Sequence, residues 1–137
     1  MAVTDRARRL AETAALAAAD KLAQDVVAID VSERLPLTDA FVIASAPNER
    51  QVQAVVDSVE EKLRDLDAKA VRREGTQEAR WVLLDFADIV VHVFHTEERE
   101  FYGLERLWKD CPAVPLPAEV HGPTPDERVT DQSAAGE

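Results

Sequence analysis

The sequence predicts a single α/β domain built on a mixed five-stranded sheet flanked by helices, and three features of its patterning carry that expectation. Trp81–Asp85 and Asp88–Phe94 are apolar runs with only Phe86 and Ala87 between them, a spacing that makes a hairpin. Val26–Val31 and Asp39–Ser45 are short apolar runs joined by the seven residues Ser32–Thr38, which suits antiparallel neighbours. Asp39–Ser45, an amphipathic stretch and then Lys69–Arg73 form a strand–helix–strand unit, which crosses over into a parallel pair. Parallel and antiparallel pairings in one sheet make it mixed.

Residues 4–23 read as an alanine-rich helix. Thr4 can cap it, and Ala7, Leu10, Ala14, Ala17 or Ala18, and Leu22 trace one face. Alanine favours the helix but adds little side-chain volume, so this helix must pack close to its neighbour, within the chain or in a second subunit. Pro36 ends the first strand region. Asn48, with Gln51 three residues on, has the spacing of a helix start. Val52, Val55, Val56, Val59, Leu63 and Leu66 then recur on one helical stripe, with Glu49, Asp57, Glu60, Glu61, Lys62, Arg64 and Asp65 on the wet side. Gly75 breaks the third strand, and Thr76–Arg80 is a polar loop.

The second hairpin strand is apolar on both faces through Ile89, Val90, Val91 and Val93, the mark of a strand in the middle of a covered sheet. Asp85 and Asp88 bracket the turn, and Phe86 stands at its tip, where no core is expected to receive it. An apolar tip ringed by charge invites a partner. Thr96 is placed to cap a final helix, with Glu97, Glu98 and Glu100 in its first turn and Arg106 and Lys109 in its last. Phe101, Leu104 and Trp108 share one face of that helix.

The 137 residues divide into a domain over residues 1–110 and an acidic, proline-rich tail over 111–137, with Pro112, Pro115, Pro117, Pro123 and Pro125 close together. Residues 118–137 are expected to be disordered, and residues 110–117 to lie extended against the domain. Sixteen basic residues against 27 acidic ones give a net charge of −11. Such a chain repels nucleic acid and anionic lipid unless its charges are strongly segregated, and it favours basic partners, among them proteins that sit on RNA. The single cysteine, Cys111, excludes an internal disulfide and fits a reducing cytosol. No stretch is apolar enough to cross a membrane, and the arginines near the start have no apolar segment behind them, so no signal peptide is read.

Chemistry-bearing patterns are weak. His92 and His95 tempt a metal reading, but residues three apart on a strand point to opposite faces. Neither a thiol nor a third histidine completes a site. The expectation is a buried, hydrogen-bonded His92 and a surface His95. Asp85 and Asp88 read as turn-flanking acids that also face a partner rather than as an acid–base pair. Trp81, Leu83 and Asp85 share a strand face that emerges toward the turn, which leaves Trp81 open between core and interface. Phe86 reads as an interface residue and Trp108 as core. The four glycines are isolated, so no phosphate-cradling loop exists, and no nucleophile–base pairing is present.

Trp81-Val-Leu-Leu-Asp85, Asp88-Ile-Val-Val-His92-Val-Phe94, and Arg99, Tyr102, Leu104, Glu105, Leu107 and Trp108 together resemble the signature of the Iojap family, the ribosomal silencing factors. Thr38-Asp39 with Phe41-Val-Ile43, and Glu74-Gly75, match two further stretches, and the similarity covers about residues 5–110. Ala87 departs from the family's usual glycine, and Ala46-Pro47 from its usual small polar residues. The resemblance implies a nucleotidyltransferase-like fold without that activity, no cofactor and no metal. It also implies binding to the large ribosomal subunit through its protein fourteen, steric blockage of subunit joining, a homodimer when free, and a cytoplasmic location. Little direct nucleic-acid binding is expected. By position, Trp81 and Phe86 become apolar anchors, and Asp85, Asp88, Glu97 and Glu98 become partners for lysines and arginines. Arg99 and Tyr102 either brace the helix against the hairpin or touch the partner. Two alternatives stand beside this reading: a small dimeric adaptor for another basic partner, and a nucleotidyltransferase-like enzyme.

Overall fold

A computed structural model describes residues 3–121. The elements run α1 (Asp5–Asp20), β1 (Gln24–Asp30), β2 (Ala40–Ala46), α2 (Glu49–Arg64), β3 (Arg72–Glu74), β4 (Trp81–Asp85), β5 (Ile89–His95), α3 (Thr96–Tyr102), α4 (Leu104–Leu107) and a 3₁₀ turn, Ala118–His121. No helix among them is long and apolar enough to cross a membrane.

The expected mixed five-stranded sheet is present, in the order β1-β2-β5-β4-β3. β1 and β2 are antiparallel, β2 and β5 parallel, and β5–β4 and β4–β3 antiparallel. The apolar β5 takes the central position, as its composition requires. The parallel neighbour of β2 is therefore β5, not the third strand, which corrects the expected pairing. β3 is a three-residue edge strand starting at Arg72, with every residue exposed. Two arginines and a glutamate cannot enter a sheet centre, but they suit an edge, where charge discourages further pairing.

α1 and α2 seal one face of the sheet. Thr4 accepts a hydrogen bond from Ala7 N, and the buried side of α1 is Ala7, Leu10, Ala11, Ala14, Ala15, Ala17 and Ala18. That small-residue face lets α2 approach closely, and Ser58 Oγ of α2 donates to Ala17 O at 3.0 Å. Leu22 falls beyond the helix end, at positive φ, and is exposed. Asn48 caps α2 by accepting from Gln51 N at 2.8 Å. Gln51 does not reach back to complete a capping box. Its amide donates to Lys21 O and Leu22 O, tying α2 to the end of α1.

The hairpin tip corrects the sequence reading most sharply. Phe86 is 5% exposed and belongs to the core cluster that includes Val59, Leu63 and Leu84. The chain turns inward at the tip: Phe86 N donates to Ile89 O, and Asp85 Oδ1 accepts from Ala87 N at 2.8 Å. Ala87 adopts φ 73°, where a side chain costs about 1 kcal/mol relative to glycine. At Gly75, φ is +80° and a Cβ would run into the Trp81 carbonyl, so glycine is required there.

The final helix is also not one helix. Gly103 takes the left-handed conformation, φ 58°, and separates α3 from α4. The break lifts Phe101 out of the expected buried face, leaving it 76% exposed, while Leu104 stays buried. His95, the last residue of β5, supplies the cap expected of Thr96, accepting from Glu97 N at 3.2 Å. His95 is accordingly buried, not at the surface.

Residues 112–114 lie extended along the outer edge of β1, as anticipated for 110–117: Asp30 N donates to Pro112 O and Val114 N to Ala28 O. Val114 and Val120 join the core. Residues 118–121 thus form a packed turn, which corrects the expectation of disorder there. The rest of the expected disordered tail, 122–137, lies outside the described residues.

Candidate protein-docking face

The second face of the sheet is only half covered. The pairings Trp81↔Phe94, Leu83↔His92 and Asp85↔Val90, and across β5 Phe41↔Val90 and Ile43↔His92, put these side chains on one side. Over β1 and β2, Leu104, Trp108 and Cys111 cover them. Over β4, Trp81, Leu83 and Asp85 remain half-buried, as does the neighbouring Val90. The strip is apolar along its length and ends at Asp85, which lies 3.9 Å from Arg72.

Trp81 resolves as both core and surface. Its ring stacks on Phe94 with centroids 4.8 Å apart, meets Tyr102 at 4.8 Å, and donates from Nε1 to His92 Nδ1 at 3.2 Å. Tyr102 is 48% exposed and touches Phe101 edge-on at 5.1 Å. Trp81, Tyr102 and Phe101 form a continuous aromatic ledge at one end of the strip. Helical spacing groups Phe101 with Leu104 and Trp108, so its place on the surface is not evident from periodicity. Gly103 was the available signal, since glycine interrupts a helical pattern.

An acidic rim adjoins the ledge. Arg80 donates to Glu49 at 2.9 Å, Glu97 at 3.2 Å and Glu98 at 2.7 Å. The hydrogen bond from Arg80 holds the Glu49 carboxyl below its usual value. Glu97 stays largely exposed in this cluster, so its second oxygen still faces solvent. Arg99 does not face outward. It is 8% exposed, forks onto Glu105 at 3.2 and 2.7 Å, and donates to Ser45 Oγ and Gln24 O. Its partners lie on α4, β1 and β2 and not on the hairpin, so Arg99 braces α3 against that end of the sheet rather than against the hairpin as expected. Asp88 sits exposed at the far end of the hairpin, where its carbonyl accepts from Asp39 N and Thr38 Oγ1. The structure therefore brings Trp81, Tyr102, Glu97 and Glu98 together. Asp85 and Asp88 stand at the opposite end of the strip, and Phe86 lies inside the core.

His92 lies beneath the strip and, as expected, is buried and hydrogen-bonded. Because Nδ1 accepts from Trp81, the neutral ring carries its proton on Nε2, which has no protein partner among the described residues. Burial pushes its pKa down to about 4. An unfolded histidine titrates near 6.5, so as pH falls the unfolded chain takes up a proton that the folded ring refuses until about 4. Stability is whole above the higher value and declines across that window. Between about pH 7.5 and about pH 5 the expected loss is about 2 kcal/mol. Urea unfolding at the two pH values checks it, and His92→Gln should remove that step. A wild-type protein equally stable at both would contradict it. Among the described residues, no group of three or more histidine, cysteine or acidic side chains is arranged to hold a metal.

The described residues form an α/β domain with one sheet face sealed by helices and the other half-open, lined by aromatics and rimmed by carboxylates. The chain belongs to the ribosomal silencing factor family: the family described as "Ribosomal silencing factor during starvation" matches residues 4–137. It is 38% identical over 109 residues to the ribosomal silencing factor RsfS of Bacillus subtilis, covering 80% of this chain and 92% of that one. It is 34% identical over 89 residues to the mouse protein named mitochondrial assembly of ribosomal large subunit protein 1, covering 63% of this chain and 39% of that one. A crystal structure from Bacillus halodurans superposes with a TM-score of 0.70 at 40% identity, covering 79% of this chain and 98% of that one.

Proposed function

We propose that this protein silences ribosomes by occupancy. It binds the large ribosomal subunit through ribosomal protein fourteen, stands on the face that meets the small subunit, and blocks joining when nutrients are short. The carrying observation is the half-open strip from the Trp81–Tyr102–Phe101 ledge to Asp85, with carboxylates at both ends. Ribosomal proteins are basic because they sit on RNA. A chain of net charge −11 is steered to such a protein and repelled by the surrounding phosphate. Membership of the silencing-factor family and the mouse relative's printed name support the ribosome, and its large subunit, as the target. The reading involves no catalysis and no cofactor, and it places the protein in the cytoplasm. When free, the protein pairs with a second copy, which light scattering checks.

Purified subunits mixed with the protein and followed by sedimentation test the proposal. Joined ribosomes should fall as protein is added, and an unchanged yield at saturation would rule it out. Tyr102→Ala removes an exposed aromatic from the ledge without touching the core. Hot-spot truncation costs about 2 kcal/mol, so affinity for the large subunit should fall about thirtyfold. Full affinity in that variant would remove the ledge from the contact.

A further inference from the structure

We propose that the concavity between α2 and β3 is a second binding site, one that takes phosphate oxyanions. It goes beyond the docking reading and does not depend on it. The concavity measures about 360 Å³ and is lined by Arg64, Lys69, Arg73 and Glu60, with Phe86 among the lining residues. Three cations and one carboxylate give it a local excess of two positive charges in a chain whose net charge is −11. This is the charge segregation that the overall composition conceals.

The cations hold donors in reserve. Arg73 meets Glu60 through one nitrogen, Nη1, which reaches both carboxylate oxygens at 3.2 and 3.3 Å. Its Nε and Nη2 have no acceptor among the described residues. Arg64 and Lys69 have no ion-pair partner there either. The contrast with the docking face is direct, where Arg80 is neutralised by three carboxylates and Arg99 is forked onto one.

The site is held in shape by the backbone. Ala68 N donates to Leu63 O and Asp67 N to Arg64 O, with Asp67 at φ 62°, a helix-ending turn that fixes where the chain leaves α2. That turn delivers Lys69 to the same concavity as Arg64, and the antiparallel pairing of β3 with β4 fixes Arg73 opposite Leu84. Compensation of the α2 dipole accounts for Lys62 and Arg64 in the last turn, but not for Lys69 and Arg73, which lie beyond the helix. Two arginines and a lysine, all exposed, line one hollow, and guanidinium and ammonium groups suit a tetrahedral, multiply charged oxyanion. Two sources present that group, the phosphodiester backbone of RNA and a free phosphate compound.

Fluorescence anisotropy of the full chain with labelled single-stranded RNA, and amide NMR shifts on adding pyrophosphate, test the site and separate its sources. For RNA, three phosphate contacts predict a salt slope near −2, so affinity falls about twentyfold between about 50 and about 200 mM salt. The double variant Arg64→Ala/Lys69→Ala should lose about two thirds of that slope. If RNA shows no binding but pyrophosphate shifts the Arg64, Lys69 and Arg73 amides, the site takes a free phosphate compound. Arg6→Ala/Arg8→Ala removes equal charge from the exposed side of α1 and serves as the control. Absence of binding to both probes, or equal weakening by the two double variants, overturns the proposal.

Discussion

Phe86→Ala is expected to destabilise the protein by about 3–5 kcal/mol, the range for emptying a buried phenylalanine site. The ring is 5% exposed and packs with α2 residues and β4, so truncation leaves a cavity under the hairpin tip that neighbouring strands cannot fill by a small shift. Urea unfolding of wild type and variant measures the loss, and Phe86→Leu should recover more than half of it. Phe86→Arg should be worse, because a guanidinium would have to enter an apolar cluster or tear the tip out of it. A binding defect in that variant would then report unfolding rather than a lost contact. A loss below about 1 kcal/mol for Phe86→Ala would mean that the ring is not in the core.

Glu105→Ala is expected to cost about 3 kcal/mol, more than Arg99→Met at about 1–2 kcal/mol, although both break one ion pair. The asymmetry comes from burial. Removing Glu105 leaves the Arg99 guanidinium enclosed, with only Ser45 Oγ and Gln24 O as acceptors. Removing Arg99 leaves a carboxylate that is 40% exposed and can be hydrated. The pair ties α3 and α4 across Gly103 and pins both to β1 and β2, so its loss should also loosen the Tyr102 ledge. Hydrogen exchange at the α3 amides reads that separately from global stability. Equal costs for the two variants would refute the burial argument.

Much of the fold was legible because local and global preferences agree. Thr4 and Asn48 cap where their side chains and spacing place them, and the alanine and valine stripes of α1 and α2 are the faces that the sheet receives. The doubly apolar β5 could only be central. The site was legible in part. Trp81, Tyr102, Glu97 and Glu98 come together, but Phe86 and Phe101 exchanged roles, the first going inside and the second outside. Neither reversal is written in hydrophobicity, since both residues are phenylalanine and their neighbours in the chain do not reveal which side each takes.

Contacts a few residues apart and sums over the chain were enough to place most elements, the caps at Thr4 and Asn48, the mixed sheet and the acidic balance. The remainder depended on contacts distant in the chain. The end of α2 and the start of β3 lie beside the hairpin tip, so Phe86 joins the core there and Arg64, Lys69 and Arg73 line a concavity against it. The left-handed turn at Gly103 decides which side of α3 faces the sheet. Whether an aromatic ring is core or surface is set by what stands opposite it in space, and that neighbour comes from dozens of residues away.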